Sequence, residues 1–276
     1  MAKSKKSDSR QDPGRNAEPD EKQPMKAEER RQKILDLVQS QKTVQLDQLA
    51  KTLGVSRMTV HRDFDLLESR GLLRKERGGA TAESSLLFES NFHYRRQTDE
   101  TSKEELARAA AELIEPGNAI MLDDSTTTLL MCDHIAQMEN ITVITNSLAV
   151  CERLREASSV RLIVTGGNYS ETHQSFSGII CEQALSQLRS DWAFLSASSV
   201  IDNRLYHQDQ EIVRVKLALM AASERKALLL TSRKFKTRAL THFADLSEFD
   251  KVFIDRHLDD ATKQRLNHSR IDFDLV

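Results

Sequence analysis

The sequence predicts an α/β fold in which a short helical N-terminal part precedes a larger, mainly parallel sheet flanked by helices. Two observations lead to this fold class. Over the later two thirds of the chain, short apolar runs alternate with helical patterns, which is typical of a parallel sheet covered by helices. The chain also has 276 residues, more than one hydrophobic core usually serves, so we expect more than one domain.

The composition excludes several classes of protein. The chain has 39% hydrophobic and 30% charged residues, as ordinary globular proteins do. No apolar run approaches the roughly 20 residues of a membrane-spanning helix, and no apolar stretch follows the N-terminal basic residues as in a signal peptide. Cys132, Cys151 and Cys181 lie far apart, without metal-ligand spacing. We therefore expect a cytoplasmic protein with no membrane partner, no metal and no cofactor.

Charge is distributed unevenly along the chain. Residues 1–80 contain 18 Lys and Arg against 13 Asp and Glu, whereas the remaining residues contain 22 against 29. A basic N-terminal part joined to an acidic remainder indicates a nucleic-acid-binding domain attached to a separate domain. Residues 1–25 are nearly free of apolar side chains. They cannot offset the entropy cost of ordering, so we expect a disordered tail.

Three short helices are predicted after this tail. In the first, Ile34 and Val38 share one face. In the second, apolar residues repeat at helical spacing over residues 46–53, and Gly54 closes the helix. Ser56 is a suitable N-cap for the third, because its hydroxyl can accept a free backbone N–H of the first turn. Only three residues separate the second helix from the third, which indicates a helix-turn-helix.

A predicted β-hairpin follows the third helix directly. Residues 72–75 favour a strand and residues 77–80, with two glycines, favour a turn, so residues 26–82 are predicted to form a winged helix-turn-helix. A helix of this kind fits the major groove of DNA and reaches base edges with its N-terminal residues. The predicted DNA contacts are Ser56, Arg57, Thr59, His61 and Arg62 on the helix, and Arg74, Lys75 and Arg77 on the wing, whose charges would neutralise phosphates.

Each of these basic residues, taken alone, also fits a different interpretation. The third helix carries Asp63, Asp65 and Glu68 beside its basic residues, as a solvated helix face would. Three compact helices also occur in domains that bind proteins. The combination of a helix-turn-helix, a basic third helix and a basic hairpin favours DNA.

Residues 83–100 are predicted to link this domain to an α/β domain over residues 101–276. Apolar runs predict strands at 119–122, 141–144, 161–164, 192–195, 226–230 and 251–254. Helical patterns between them predict helices at 103–114, 128–138, 148–156, 178–188 and 211–222. This alternation predicts a largely parallel sheet.

Ligands of open parallel sheets bind beyond the carboxyl ends of the strands. Backbone N–H groups and hydroxyls of Ser125, Thr126 and Thr127, at the start of a helix, suit a phosphate or a carboxylate. Polar or small residues follow the other strands as well, and they complete a candidate site with Asp123, Asn146, Gly166, Gly167, Lys234 and Arg238. Ser and Thr at strand ends are also common as N-caps and turn formers, which is the alternative interpretation.

The stretch VQLDQLAKTLGVSRMTVHRDFDLLESRGLLRKERGGAT, residues 44–81, resembles the DNA-binding domain of DeoR-type bacterial transcriptional regulators. The resemblance implies a DNA contact for Arg62. His61 stands where the family usually has the first arginine of a pair, so this position offers a neutral hydrogen bond, or a charge below its pKa. Phe64 replaces a leucine of the family pattern, which is a mild change in the core.

The resemblance extends to the family's effector domain. Asp123–Thr128, Thr145–Ser147, Gly166-Gly167 and Thr231–Phe235 match its loops, and Lys216 falls on a lysine typical of its helix. This implies a sensor domain similar in fold to ribose-5-phosphate isomerase, with Lys216 at the ligand site. Ser125 replaces the usual glycine, and residues 201–211 diverge from the family's usual sequence.

The resemblance implies a transcriptional regulator, expected to be a repressor. It would bind a double-stranded DNA operator as a homodimer or homotetramer and respond to a phosphorylated sugar or related metabolite. The alternative is a sugar-phosphate isomerase or transferase with an appended DNA-binding domain, using Asp123, Glu211, Lys216 and Lys234 for acid–base chemistry. No nucleophile–base pair or metal-ligand set stands at diagnostic spacing in the sequence, and a similar fold does not carry activity. We therefore expect no enzyme.

Overall fold

The structure, a computed structural model, describes residues 26–69, 72–81 and 91–276. The expected tail over residues 1–25 lies outside the described residues, and so does the start of the expected linker. The predicted domain limits at 82, 83 and 100 therefore remain predictions. In the part of the chain that is described, none of the helices combines the length and the apolar character that crossing a membrane requires.

Three helices and a three-stranded antiparallel sheet form the N-terminal part. They are α1 (Ala27–Gln41), β1 (Thr43–Gln45), α2 (Leu46–Leu53), α3 (Arg57–Ser69), β2 (Arg74–Glu76) and β3 (Gly79–Thr81), and the strand order is β1-β3-β2. Apolar side chains from all three helices enclose one core, in which Ile34, Val60 and Phe64 are fully buried. The predicted winged helix-turn-helix is confirmed.

Local geometry explains the turns of this part. Gly54 ends α2 in the left-handed region, with φ of 65°, and Ser56 Oγ accepts the Thr59 N–H at 3.1 Å to begin α3. At Gly79, a Cβ would lie 2.0 Å from the Val44 carbonyl oxygen, so only glycine lets β3 approach β1. The sequence did not predict β1, because a three-residue strand shows no alternating pattern.

The strands of the second part follow in the order of the chain. They are β4 (Ala119–Leu122), β5 (Ile141–Thr145), β6 (Val160–Val164), β7 (Asn168–Ser170), β8 (Ser175–Ser177), β9 (Ser190–Leu195), β10 (Ser199–Ile201), β11 (Arg204–His207), β12 (Ser223–Leu230), β13 (Thr241–Asp245), β14 (Lys251–Ile254) and β15 (Asp274–Leu275). Seven of them form a parallel sheet in the order β15-β14-β12-β9-β4-β5-β6. Strands β10, β11 and β13 form a small antiparallel sheet, and β7 pairs with β8.

Helices accompany the strands of the second part. They are α4 (Phe92–Gln97), α5 (Glu100–Ala111), α6 (Thr126–Leu130), α7 (Cys132–Ile135), α8 (Leu148–Leu154), α9 (Ile179–Ser186), α10 (Gln210–Ala221) and α11 (Asp260–His268). The helix predicted over 128–138 is divided between α6 and α7, and helix α4 lies inside the predicted linker.

The sheet has a hydrophobic core on each face, because successive strand residues point to opposite sides. On β4, Ile120 and Leu122 join one core and Met121 joins the other. Helix α5 covers the first core with Leu106, and α10 covers the second with Leu219. The predicted mainly parallel sheet, flanked by helices, is confirmed, and its strand ends lie along one edge.

Candidate nucleic-acid interface and ligand pocket

Helix α3 presents its N-terminal half to solvent. Ser56, Arg57, His61 and Arg62 are exposed, while Thr59 is half-buried beside the cap. The opposite face of the helix is fixed by its apolar residues in the core. The polar face is therefore free to enter a DNA groove, with donor side chains where base edges would lie.

The cations of α3 and the wing differ in their pairing. Arg57 Nε lies 2.8 Å from an Asp47 oxygen, and His61 Nδ1 lies 3.2 Å from Asp65 Oδ2. Arg62 makes no hydrogen bond or ion pair with any described residue. Because an unpaired arginine keeps all its donors for an external partner, Arg62 is the strongest candidate for a DNA contact on this helix.

The wing also contains both paired and unpaired cations. Arg77, in the turn between β2 and β3, is exposed and has no partner among the described residues. Arg74 lies 3.2 Å from Glu76, and both side chains are exposed. Lys75 Nζ pairs with Asp65 and lies 3.5 Å from Glu68, which fastens the wing to α3 and raises the pKa of the lysine. Of the predicted wing contacts, Arg77 is thus the most available to phosphate.

Asp63 belongs to the core of the N-terminal part. It is 3% exposed and accepts hydrogen bonds from Arg30 Nε at 2.6 Å and from Arg31 Nε at 3.1 Å. The hydrogen bond from Arg30 is the main reason that the pKa of this guanidinium is raised. This acidic residue of α3 therefore holds α1 against α3 and is not part of a solvated acidic face.

A cavity of about 460 Å³, measured with its open mouth, lies at the carboxyl ends of β4, β9 and β12. Residues after each of these strands line it, and so do residues around α4. The lining is Tyr94, Arg95, Thr98, Asp99, Lys103, Ser125, Thr126, Thr127, Ser196, Ala197, Ser198, His207, Lys216, Arg233 and Lys234. The structure thus brings together five predicted ligand residues, Ser125, Thr126, Thr127, Lys216 and Lys234.

Lys216 is buried in an ion pair beneath this cavity. Its Nζ lies 2.5 Å from Asp123 Oδ2 and donates to the Ser196 carbonyl at 3.0 Å. Asp123 also accepts from the Ser196 N–H at 3.0 Å and from Thr128 Oγ1 at 2.8 Å. The two charges and their hydrogen bonds therefore fix the loops after β4 and β9 relative to each other. Asp123 itself does not line the cavity.

Asn146, Gly166 and Gly167 do not reach the wall of this cavity. The hairpin of β7 and β8 packs against the loops after β5 and β6. Phe176 donates its N–H to the Asn146 carbonyl at 2.8 Å, and a Cβ at Gly167 would lie 2.5 Å from the Ser177 carbonyl oxygen. Their predicted contact with ligand therefore has no support from the cavity, whereas their role in seating the hairpin is visible.

His207 is a buried imidazole on the cavity wall. Burial lowers its pKa well below the ordinary value, and the positive charges of Lys216 and Arg95 lower it further. It therefore stays neutral at pH 7. Its Nδ1 accepts the Asp209 N–H at 3.1 Å. Asp209, in turn, has a pKa lowered to about 2, mainly by its hydrogen bond with His173.

Several cavity residues escaped the sequence analysis. Arg95 lies on α4, inside the predicted linker, Lys103 lies on α5, in the helix predicted over 103–114, and Arg233 follows β12. Lys103 Nζ donates to the Arg95 carbonyl oxygen, and Arg233 Nη2 donates to the Tyr94 hydroxyl at 2.8 Å. Arg233 could have been predicted, because it is a basic residue in the Thr231–Phe235 loop directly after a strand. Arg95 could not, because α4 does not follow a strand of the predicted sheet.

Two family models match the chain. The model described as the DeoR-like helix-turn-helix domain matches residues 30–86, and the model described as the DeoR C terminal sensor domain matches residues 98–256. The chain belongs to the DeoR family of transcriptional regulators. The family that the sequence resembled is thereby confirmed, and the two parts of the structure correspond to its DNA-binding and sensor domains.

Relatives in this family span nearly the whole chain. The chain is 32% identical to the uncharacterized HTH-type transcriptional regulator YgbI of Escherichia coli K12, over 86% of this chain and 93% of YgbI. It is 33% identical to the L-fucose operon activator of Haemophilus influenzae, over 82% of this chain and 91% of the activator. It is 30% identical to the glycerol-3-phosphate regulon repressor of Escherichia coli K12, over 91% of this chain and 100% of the repressor.

The chain also aligns with a solved structure of D-ribose-5-phosphate isomerase in complex with phospho-erythronic acid. The TM-score is 0.38 and the identity is 16%, over 49% of this chain and 54% of that one. An alignment of this extent says nothing about ligand or activity.

Proposed function

We propose that this DeoR-family protein is a transcriptional repressor. It binds a double-stranded operator through α3 and the wing, and a phosphorylated sugar or a related metabolite in the cavity changes its affinity for DNA. The protein acts as a homodimer or homotetramer, because the operators of helix-turn-helix proteins usually have two-fold symmetry. It is a binding protein and catalyses no reaction.

The observation that carries the DNA-binding half is the unpaired state of Arg62 and Arg77. Both side chains are exposed, and neither has a partner among the described residues. One lies on the helix that enters the groove and the other lies in the wing. These positions correspond to base-edge readout and to phosphate neutralisation.

The charge of the cavity supports an anionic ligand. Five of its lining side chains are Lys or Arg, and Asp99 is the one carboxylate among them. Hydroxyls of Thr126, Thr127 and Ser198 stand beside these cations. A phosphate needs cationic donors, and a sugar needs hydroxyls and amides, so this lining suits a phosphorylated sugar.

The names of the relatives point the same way. One is a repressor of a glycerol-3-phosphate regulon, and another is a lactose phosphotransferase system repressor of Streptococcus mutans. The L-fucose operon activator shows that the family also contains activators. We extend the role of repressor and the response to a phosphorylated effector to this chain.

The DNA-binding half is tested with Arg62→Ala. Duplexes selected from a random-sequence library by the wild-type protein serve as the operator probe, and affinity is measured by fluorescence anisotropy. We expect a loss of about 1–3 kcal/mol of binding free energy if Arg62 reads a base. The matched control is Arg204→Ala, an exposed arginine on β11, which should bind as the wild type does. Equal affinity of Arg62→Ala and wild type would remove the assignment of Arg62.

A further inference from the structure

Arg95 is a cavity residue with unused hydrogen-bonding capacity. Its Nε and Nη2 are buried and have no hydrogen-bond partner among the described residues. Arg95 as a whole is half-buried, but buried polar nitrogens without acceptors are costly, so native proteins rarely leave them in this state. The planar fork of an arginine matches two oxygens of a phosphate or a carboxylate. An anion that entered from the cavity would supply acceptors to both nitrogens.

The other cations of the cavity are already engaged. Lys103 bonds to the Arg95 carbonyl, Arg233 bonds to the Tyr94 hydroxyl, and Lys216 pairs with Asp123. Their bonds hold the walls, whereas Arg95 Nε and Nη2 have no acceptor in the part of the chain that the structure describes. The Arg95 backbone is also tied to the wall, because its carbonyl accepts from Thr126 Oγ1 at 3.3 Å. Arg95 is thus held in place before any ligand arrives.

Tyr94, the neighbour of Arg95 on α4, belongs to the core of the DNA-binding domain. Its ring is buried with the apolar residues of α1, α2 and α3. Its hydroxyl accepts from Arg233 Nη2, and the Arg233 guanidinium lies over its ring at 5.5 Å from the centroid. Two consecutive residues of a six-residue helix therefore contact the sensor cavity and the DNA-binding domain.

We propose that Arg95 binds the anionic group of the effector and that α4, through Tyr94, transmits this binding to the DNA-binding domain. The proposal rests on the proposed function and assigns its regulation to one helix. An anion that binds the Arg95 guanidinium changes the contacts of α4, and the adjacent residue Tyr94 of the same helix is packed in the core of the DNA-binding domain. The DNA-binding domain then takes different positions when the cavity is occupied and when it is empty. Such a difference between two states is what coupling between the ligand site and the DNA site requires.

The first experiment measures binding by Arg95→Gln. The probes are inorganic phosphate, a panel of pentose and hexose phosphates, and the unphosphorylated sugars, in isothermal titration with the full chain. Arg95→Gln should bind the tightest phosphosugar of the panel at least tenfold more weakly than wild type. Arg96→Gln is the matched control, because Arg96 is exposed on the same helix and does not line the cavity. It should bind within twofold of wild type, and Arg95→Lys should fall between the two.

The outcomes separate this proposal from the proposed function. If Arg95→Gln and Arg95→Lys bind the phosphosugar as tightly as wild type, the role of Arg95 is overturned and the sensor function stands. If neither phosphate nor any phosphosugar binds the wild type, both are overturned. Unchanged circular dichroism and unchanged operator affinity of the ligand-free variants show that the variants are folded.

The second experiment isolates the transmission by Tyr94→Phe. This change removes the hydroxyl that Arg233 contacts and keeps the ring in the core. At phosphosugar concentrations that saturate both proteins, we expect the change in operator affinity of Tyr94→Phe to be at most a third of the wild-type change, whatever the phosphosugar affinity of the variant. If phosphosugar changes the operator affinity of Tyr94→Phe as much as that of wild type, transmission through Tyr94 is overturned. The binding role of Arg95 is then decided by the first experiment alone.

Discussion

At the scale of single residues, the cavity holds a neutral imidazole among cations. His207 is buried, and the charges of Lys216 and Arg95 oppose its protonation. Because Nδ1 accepts the Asp209 N–H, the neutral ring keeps its Nε2–H as a donor, which suits a sugar hydroxyl. Because the folded pKa lies well below that of the unfolded chain, only the unfolded chain gains a proton as the pH falls below about 6.5. This residue therefore favours unfolding in mild acid.

We predict that the free energy of unfolding falls between pH 7 and pH 5, by up to about 1.4 kcal/mol per pH unit below pH 6.5 from this residue. Thermal unfolding of His207→Gln should show a flatter profile in this window. Asp209 does not interfere, because a carboxyl with a pKa lowered to about 2 loses its contribution only below about pH 4. His242→Gln, at an exposed histidine, is the control. A His207→Gln profile that parallels the wild type would contradict the assignment.

At this scale, the sequence predicted five of the fifteen residues that line the cavity. Ser125, Thr126 and Thr127 were found because they directly follow a buried apolar strand. Arg95 was not found, because it lies on a six-residue helix that follows no strand, and no rule of strand ends reaches it. Asn146 was proposed for the same reason as Ser125, but a hairpin covers its loop, and local sequence carries no sign of that tertiary contact.

At the scale of elements, α1 and α3 are joined through a buried carboxylate. Asp63 accepts from Arg30 and Arg31 of the neighbouring helix while its own helix positions the DNA-facing residues. The orientation of α3 in the domain therefore depends on an ion pair as well as on apolar packing. Removing one member of a buried pair leaves the other charge without a partner, which is more costly than losing an exposed pair.

We predict that Asp63→Ala lowers the free energy of unfolding of the DNA-binding domain by about 3 kcal/mol. Urea unfolding followed by circular dichroism measures this loss, and operator affinity should fall with it. Asp65→Ala, two residues along the same helix but exposed, is the matched control and should have a much smaller effect. Equal stability of the two variants would show that Asp63 is not a structural anchor.

The elements that the sequence predicted are those with strong periodicity. Six of the seven strands of the parallel sheet stand out as apolar runs, because the faces of such a sheet are covered by helices. Strands β7, β8, β10, β11, β13 and β15 were missed, since none of them contains the continuous apolar run by which the other strands were found. Helix α4 was assigned to a linker for the same reason, although its Tyr94 is a core residue of the preceding domain.

At the scale of the whole molecule, the DNA-binding domain and the sensor cavity share α4. The basic N-terminal part meets DNA, and the cationic cavity lies at the far end of a chain of contacts through Arg95, Tyr94 and Arg233. A ligand that alters this chain can change DNA affinity by the one to two orders of magnitude that are typical of coupled sites. The same linkage requires that operator DNA change the affinity for the ligand by an equal factor.

The most direct measurement is the operator affinity of the full chain with and without phosphosugar at saturation, by fluorescence anisotropy. We predict a change of at least about fivefold with one phosphosugar of the panel, in line with a coupling free energy of about 1–3 kcal/mol, and no change with the matching unphosphorylated sugar. An operator affinity that stays the same when a bound phosphosugar saturates the cavity would contradict the account.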